Sequence, residues 1–186
     1  MIFAKITEIF GVPDVDLFAS RINFKLLPYV AWHPDPGCIA VDAFSMTWFN
    51  KFPYCFPPFS QLGRTLTKIN LDKVEQAILV APLWPTQSWF PTALQMLIAP
   101  PLVFLADLEH LYLPHRPQES HPLSSNLYLM VLKLSANCSK TKGFLEHLKM
   151  LLPNHGDQTH GKGMSWSLPN GKSFVSRGTL IPFTLL

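Results

Sequence analysis

The chain predicts an α/β fold: a mostly parallel sheet with helices on both faces. Three observations carry this expectation. Residues 15–19 (VDLFA), 77–81 (AILVA) and 102–106 (LVFLA) are short, nearly all-apolar runs, the composition of strands buried on both faces. Segments with apolar residues at helical spacing alternate with them. A stiff aromatic loop, residues 53–60 (PYCFPPFS), leads from a strand end into a helix. That is where an open α/β sheet presents ligands.

In chain order, Ile2, Phe3, Ile6, Ile9 and Phe10 predict an opening helix stopped by Gly11. The strand 15–19 follows, then a short helix at 20–23. Residues 28–32 (PYVAW) read as a second strand, and 33–37 (HPDPG) as a turn. Residues 40–44 (AVDAF) suit a third strand or a loop, and Tyr54-Cys55 closes a fourth. Pro57 and Pro58 lack backbone N–H groups and hold φ near about −65°, so the chain leaves this strand extended. Ser60 is placed to cap a helix with Leu62, Leu66 and Ile69 on its apolar face. Strand 77–81, a helix over 89–98 with Pro91 in its first turn, and strand 102–106 complete an α/β domain over 1–113. Residues 114–122 are a Pro/His-rich linker, and 123–186 form a basic, partly ordered tail. Within the tail 127–134 and 144–152 read as helices, with a last strand over 173–183.

Net charge is +3, unevenly spread. Residues 120–186 hold 7 Lys/Arg against 2 Asp/Glu, while 1–119 hold 8 against 10. A basic tail beside a near-neutral domain suits a polyanion such as nucleic acid, the bland alternative being a solvated tail with no partner. No apolar run is long enough to span a membrane, and no secretory signal is visible. Three widely spaced cysteines, Cys38, Cys55 and Cys138, read as reduced thiols of an intracellular protein, cytoplasmic or nuclear.

Asp14, Asp16 and Asp42 lie near strand ends, where a carboxylate can bind a ribose hydroxyl or an adenine amine. A single such Asp more often caps a helix or forms a turn. Three in one half of a sheet, beside the Pro-Pro loop, point towards a pocket. Glycine-rich nucleotide motifs and the serine-hydrolase elbow are absent. Cys138, His147, His155 and His160 lack the close pairing of a zinc site, so no metal is expected. Trp84, Trp89 and Phe90 offer stacking faces for bases, although aromatics beside a central strand usually belong to the core, the reading preferred here. The carboxylates are too few for ribonuclease H chemistry.

Several blocks together carry a resemblance: 13–21 (PDVDLFASR), 29–36 (YVAWHPDP), 41–45 (VDAFS), 54–60 (YCFPPFS) and 82–90 (PLWPTQSWF). With 121–123, 132–135 and 171–175, they resemble the region after the reverse transcriptase and ribonuclease H domains in DIRS-type (tyrosine-recombinase) retrotransposon polyproteins. The resemblance implies a C-terminal polyprotein fragment, with those upstream domains as its partners. That region is similar, more distantly, to phage-type Dam DNA adenine methyltransferases, which implies a Rossmann-like, methyltransferase-type sheet. By this likeness Asp16, Ala19 and Asp42 would hold S-adenosylmethionine. Phe56, Pro57, Pro58 and Phe59 would stand at the Asn-Pro-Pro-Tyr loop that grips a flipped adenine.

Here the sequence departs from the family. Phe56 replaces the Asn whose amide orients the target amine, and a phenyl ring accepts no such hydrogen bond. Phe59 keeps the stacking face of the Tyr and loses its hydroxyl. Losing one well-placed polar group in an active site costs about 3–4 kcal/mol of transition-state stabilisation. The implied function is a degenerate methyltransferase-like domain acting as a non-catalytic nucleic-acid-binding or structural module. The alternatives are an active S-adenosylmethionine-dependent nucleic-acid methyltransferase and a relic without selected function.

Overall fold

The computed structural model describes residues 2–105, 127–151, 173–176 and 179–186. Its centre is an eight-stranded mixed sheet, mostly parallel. In chain order the strands are β1 (Val15–Ala19), β2 (Tyr29–Ala31), β3 (Ala40–Val41), β4 (Pro53–Cys55), β5 (Ala77–Pro82), β6 (Leu102–Leu105) and β7 (Tyr128–Leu134). β8 (Ser173–Ser176) and β9 (Thr179–Pro182) form a separate antiparallel hairpin, and β10 (Thr184–Leu185) joins the main sheet. The spatial order is β10-β6-β7-β5-β4-β1-β2-β3, with β7 alone antiparallel to its neighbours.

Apolar side chains pack on both faces, as expected. On one face α1 (Ile2–Phe10) sets Ile6 and Phe10 against Tyr54, Ile78, Val80, Leu129 and Val131. The other face is covered by α2 (Leu62–Leu71), α3 (Phe90–Gln95) and α4 (Cys138–Leu151). In α2 the expected face is the buried one: Leu62, Leu66 and Ile69 are each at most 2% exposed. Burying such side chains stabilises by about 1.5–3 kcal/mol apiece. Ser60, however, does not cap this helix. The chain first makes a 3-10 turn over Phe59–Gln61, in which Gln61 N–H donates to the Pro58 carbonyl, and no side chain caps either start.

The largest correction concerns residues 127–134, expected to be helical. Leu, Met and Lys favour helices, yet this segment is β7, pairing with β5 from Pro82↔Leu129 to Ala77↔Leu134 and with β6 on its other side. Its side chains alternate between the two cores, Leu129 and Val131 on the α1 face, Met130, Leu132 and Leu134 on the other. Both sets are apolar, so the period of two is hidden in the sequence. The sheet therefore takes strands from both sides of segment 114–122, which itself lies outside the described residues, as does 152–172 of the tail. Residues 173–183, expected as one strand, break into the hairpin β8–β9.

Two smaller expectations also change. Residues 21–23 form a turn, with Asn23 and Phe24 N–H groups donating to the Ser20 carbonyl, rather than a helix. α3 stops at Gln95, and Leu97 instead bridges to Leu134. As a result β1, β2 and β3 are joined by loops, where parallel strands usually need a helical crossover. The loops are fastened by side chains: Asp16 accepts from Lys25 N–H, Asp35 from Arg21 N–H, and Tyr29 Oη donates to the Pro36 carbonyl.

Candidate functional site

The carboxyl ends of the parallel strands line up along one edge of the sheet, and the expected site residues distribute along it unequally. At the tip of β4, Pro57 is buried and Pro58 exposed. Among the described residues the Pro57 carbonyl has no donor, whereas that of Pro58 is taken by Gln61. Phe56 is half-buried and packs against the apolar cluster on the α1 face. Phe59 sits between the two cores and meets Trp84, from the loop after β5, edge to face at 5.2 Å.

These two rings wall a cleft of about 380 Å³, completed by Ser60, Gly63, Gln87, Ser88 and Trp89. Its polar groups are neutral: two hydroxyls and one amide. The turn that aims Gln87 is set by Gln87 N–H donating to the Trp84 carbonyl and Phe90 N–H to that of Gln87. An aromatic-walled cleft of this size with a few neutral hydrogen-bonding groups suits a planar heterocycle such as a nucleobase. The core reading of the three aromatics after β5 holds for Trp89 and Phe90, both buried, while Trp84 is half-exposed and lines the cleft. Gln87, Ser88 and Gly63 were not singled out from the sequence. The available signal was turn chemistry, Trp-Pro-Thr-Gln, directly after the clearest buried strand.

The carboxylates lie elsewhere. Neither Asp16 nor Asp42 lines this cleft. Asp16, within β1, is 2% exposed, and its two oxygens accept from Phe18 N–H at 3.4 Å and Lys25 N–H at 3.0 Å. Burial raises its pKa, and the two backbone donors only partly offset this. Asp42 follows β3 with φ 60°, and its carboxylate accepts from Phe44 N–H at 3.0 Å, capping a 3-10 turn over Ala43–Ser45. Asp14, exposed and just before β1, exchanges hydrogen bonds with the backbone of Phe52. Ala19 ends β1 opposite Ala31 and packs on Tyr29. For each Asp, the turn-and-cap role that sequence reasoning weighed against ligand binding is the one visible.

Around Asp42 the chain is tightly knit. Trp48 is buried and donates its indole N–H to the Ala43 carbonyl, its backbone N–H goes to Asp72, and the Arg64 guanidinium lies 3.9 Å over the Phe44 ring. Cys55 is buried and its thiol pKa is pushed well up by desolvation, so it carries no nucleophile. Among the described residues no group of three His, Cys, Asp or Glu could hold a metal ion, and no helix is long and apolar enough to cross a membrane. His155 and His160 lie outside the described residues. No family model, curated protein or solved structure matches the chain.

Proposed function

We propose that this is a methyltransferase-like module that holds an unpaired base of a nucleic acid and transfers no methyl group. The observation that carries the reading is the Phe59–Trp84 cleft at the carboxyl ends of β4 and β5. Base–aromatic stacking contributes about 1–3 kcal/mol per base and tolerates any sequence. The mostly parallel sheet, in the order β3-β2-β1-β4-β5-β7-β6-β10 with a reversed β7 wedged between β5 and β6, is compatible with a Rossmann-like ancestry. This is an analogy of fold, and fold alone does not set activity.

Against methyl transfer stand three features of the chain. Phe56 offers no acceptor and packs against the apolar cluster. Asp16 has both oxygens engaged by backbone, and the turn after β1 contains no glycine to admit a cofactor backbone-close. These features weigh against S-adenosylmethionine as a bound cofactor, and no step through it is assigned. The basic tail would add sequence-independent attraction to phosphates, as part of a retrotransposon polyprotein gripping its template.

The test is fluorescence anisotropy of a labelled single-stranded oligonucleotide over a salt series. Phe59→Ala and Trp84→Ala should each weaken binding about 5- to 100-fold, the range that stacking energies imply, with an unchanged salt slope. Wild-type affinity in both variants would remove the cleft from the account. Calorimetry with S-adenosylmethionine should show no heat of binding; saturable binding would favour the active-enzyme alternative.

A further inference from the structure

The cleft does not end at Gly63. A second cavity of about 590 Å³ runs between α2 and α3 and shares Gly63, Ser88 and Trp89 with the first. Gly63 is the saddle between them: exposed, on the first turn of α2, with nothing within 4 Å of an added Cβ. Beyond it the walls carry the hydroxyls of Thr67, which donates to the Gly63 carbonyl, and Thr92, the amide of Asn70, and Trp89. Among the described residues no charged side chain lines either cavity. A phosphate would find neutral donors but no cationic side chain there to offset its charge, whereas a base or sugar would find an aromatic side chain with neutral donors and acceptors.

We infer that the α2–α3 groove is a second nucleoside subsite, so that the module takes two adjoining nucleotides of a single strand, the first base against Phe59 and Trp84 and the next beyond Gly63. The inference rests on the base-holding reading above and adds to it a footprint and a direction along α2. From Gly63 to Asn70 the helix advances about 10 Å at 1.5 Å per residue, room for one further nucleoside. The phosphate joining the two would cross the saddle in solvent, where a side chain in place of Gly63 would obstruct it.

Two variants test this in the full chain. Gly63→Trp has open space at its Cβ and improves helix propensity, so its urea midpoint should stay close to that of the wild type. It should weaken binding of a short single-stranded oligonucleotide about tenfold or more, within the range for losing one stacked base. Asn70→Ala, which touches only the second cavity, should weaken the oligonucleotide several-fold. It should leave the affinity for a mononucleotide, read by ligand-observed NMR, as in the wild type. Both should leave the salt slope unchanged, since no phosphate contact is removed. Oligonucleotide affinity unaltered by both variants overturns the second subsite and leaves the first cleft standing. Loss of mononucleotide binding in Phe59→Ala, measured in parallel, reports on the first cleft alone.

Discussion

The Phe59 ring stands edge-on to the indole of Trp84, with centroids 5.2 Å apart and planes at 79°. The contact ties the tip of β4 to the loop after β5 and belongs to both faces of the sheet. Edge-to-face pairs are worth about 0.5–1.5 kcal/mol beyond the area they bury. A double-mutant cycle of Phe59→Leu and Trp84→Leu, read by urea unfolding, should return a coupling energy in that range. Additive effects would show that the rings are independently held, and that the cleft has no preformed wall.

Asp42 combines a positive-φ backbone with a carboxylate bonded to Phe44 N–H. Asp and Asn tolerate that backbone better than other side chains, and loss of a cap typically costs about 1 kcal/mol. Asp42→Asn should therefore be near neutral, while Asp42→Ala should lower unfolding free energy by about 1–2 kcal/mol from cap and backbone together. Nucleic-acid affinity should not change in either variant. A large loss of affinity in Asp42→Asn would return this carboxylate to a ligand-binding role.

Asp16 gives a pH signature. Its pKa is raised in the folded chain above the ordinary 3.8, chiefly by burial. Between those two values the folded state binds more protons than the unfolded state, so stability falls as pH rises. The contribution is complete below 3.8 and is lost as pH climbs through the raised pKa. The difference in unfolding free energy between wild type and Asp16→Asn should decline across that acid window and level off towards neutral pH. A difference independent of pH would mean that Asp16 titrates alike in both states.

How far the sequence discloses this molecule depends on how each element is held. β1, β5 and β6 are legible because nearly all-apolar runs leave little room for another structure, and α2 because Leu62, Leu66 and Ile69 share one stripe. β7 is not legible: Leu and Met on both faces satisfy a helix equally well, and only its place between β5 and β6 decides. The crossovers after β1 and β2 are also hidden, because their fastenings, Asp16 to Lys25 and Asp35 to Arg21, lie well apart in sequence. In the site, the aromatic loop of β4 is visible as a motif. Its partner Trp84 looks like core until the cleft beside it is seen, and the two expected cofactor carboxylates, Asp16 and Asp42, accept hydrogen bonds from nearby backbone N–H groups.

The role of Phe59 and Trp84 depends on whether the cleft takes a base. The most direct measurement compares the affinity of a single-stranded oligonucleotide with that of an abasic strand of equal length and charge, at one salt concentration. Stacking of one or two bases predicts that the intact strand binds at least about fivefold, and up to about ten-thousandfold, more tightly. Equal affinities would mean that charge alone holds the strand, contradicting a base-binding role for Phe59 and Trp84.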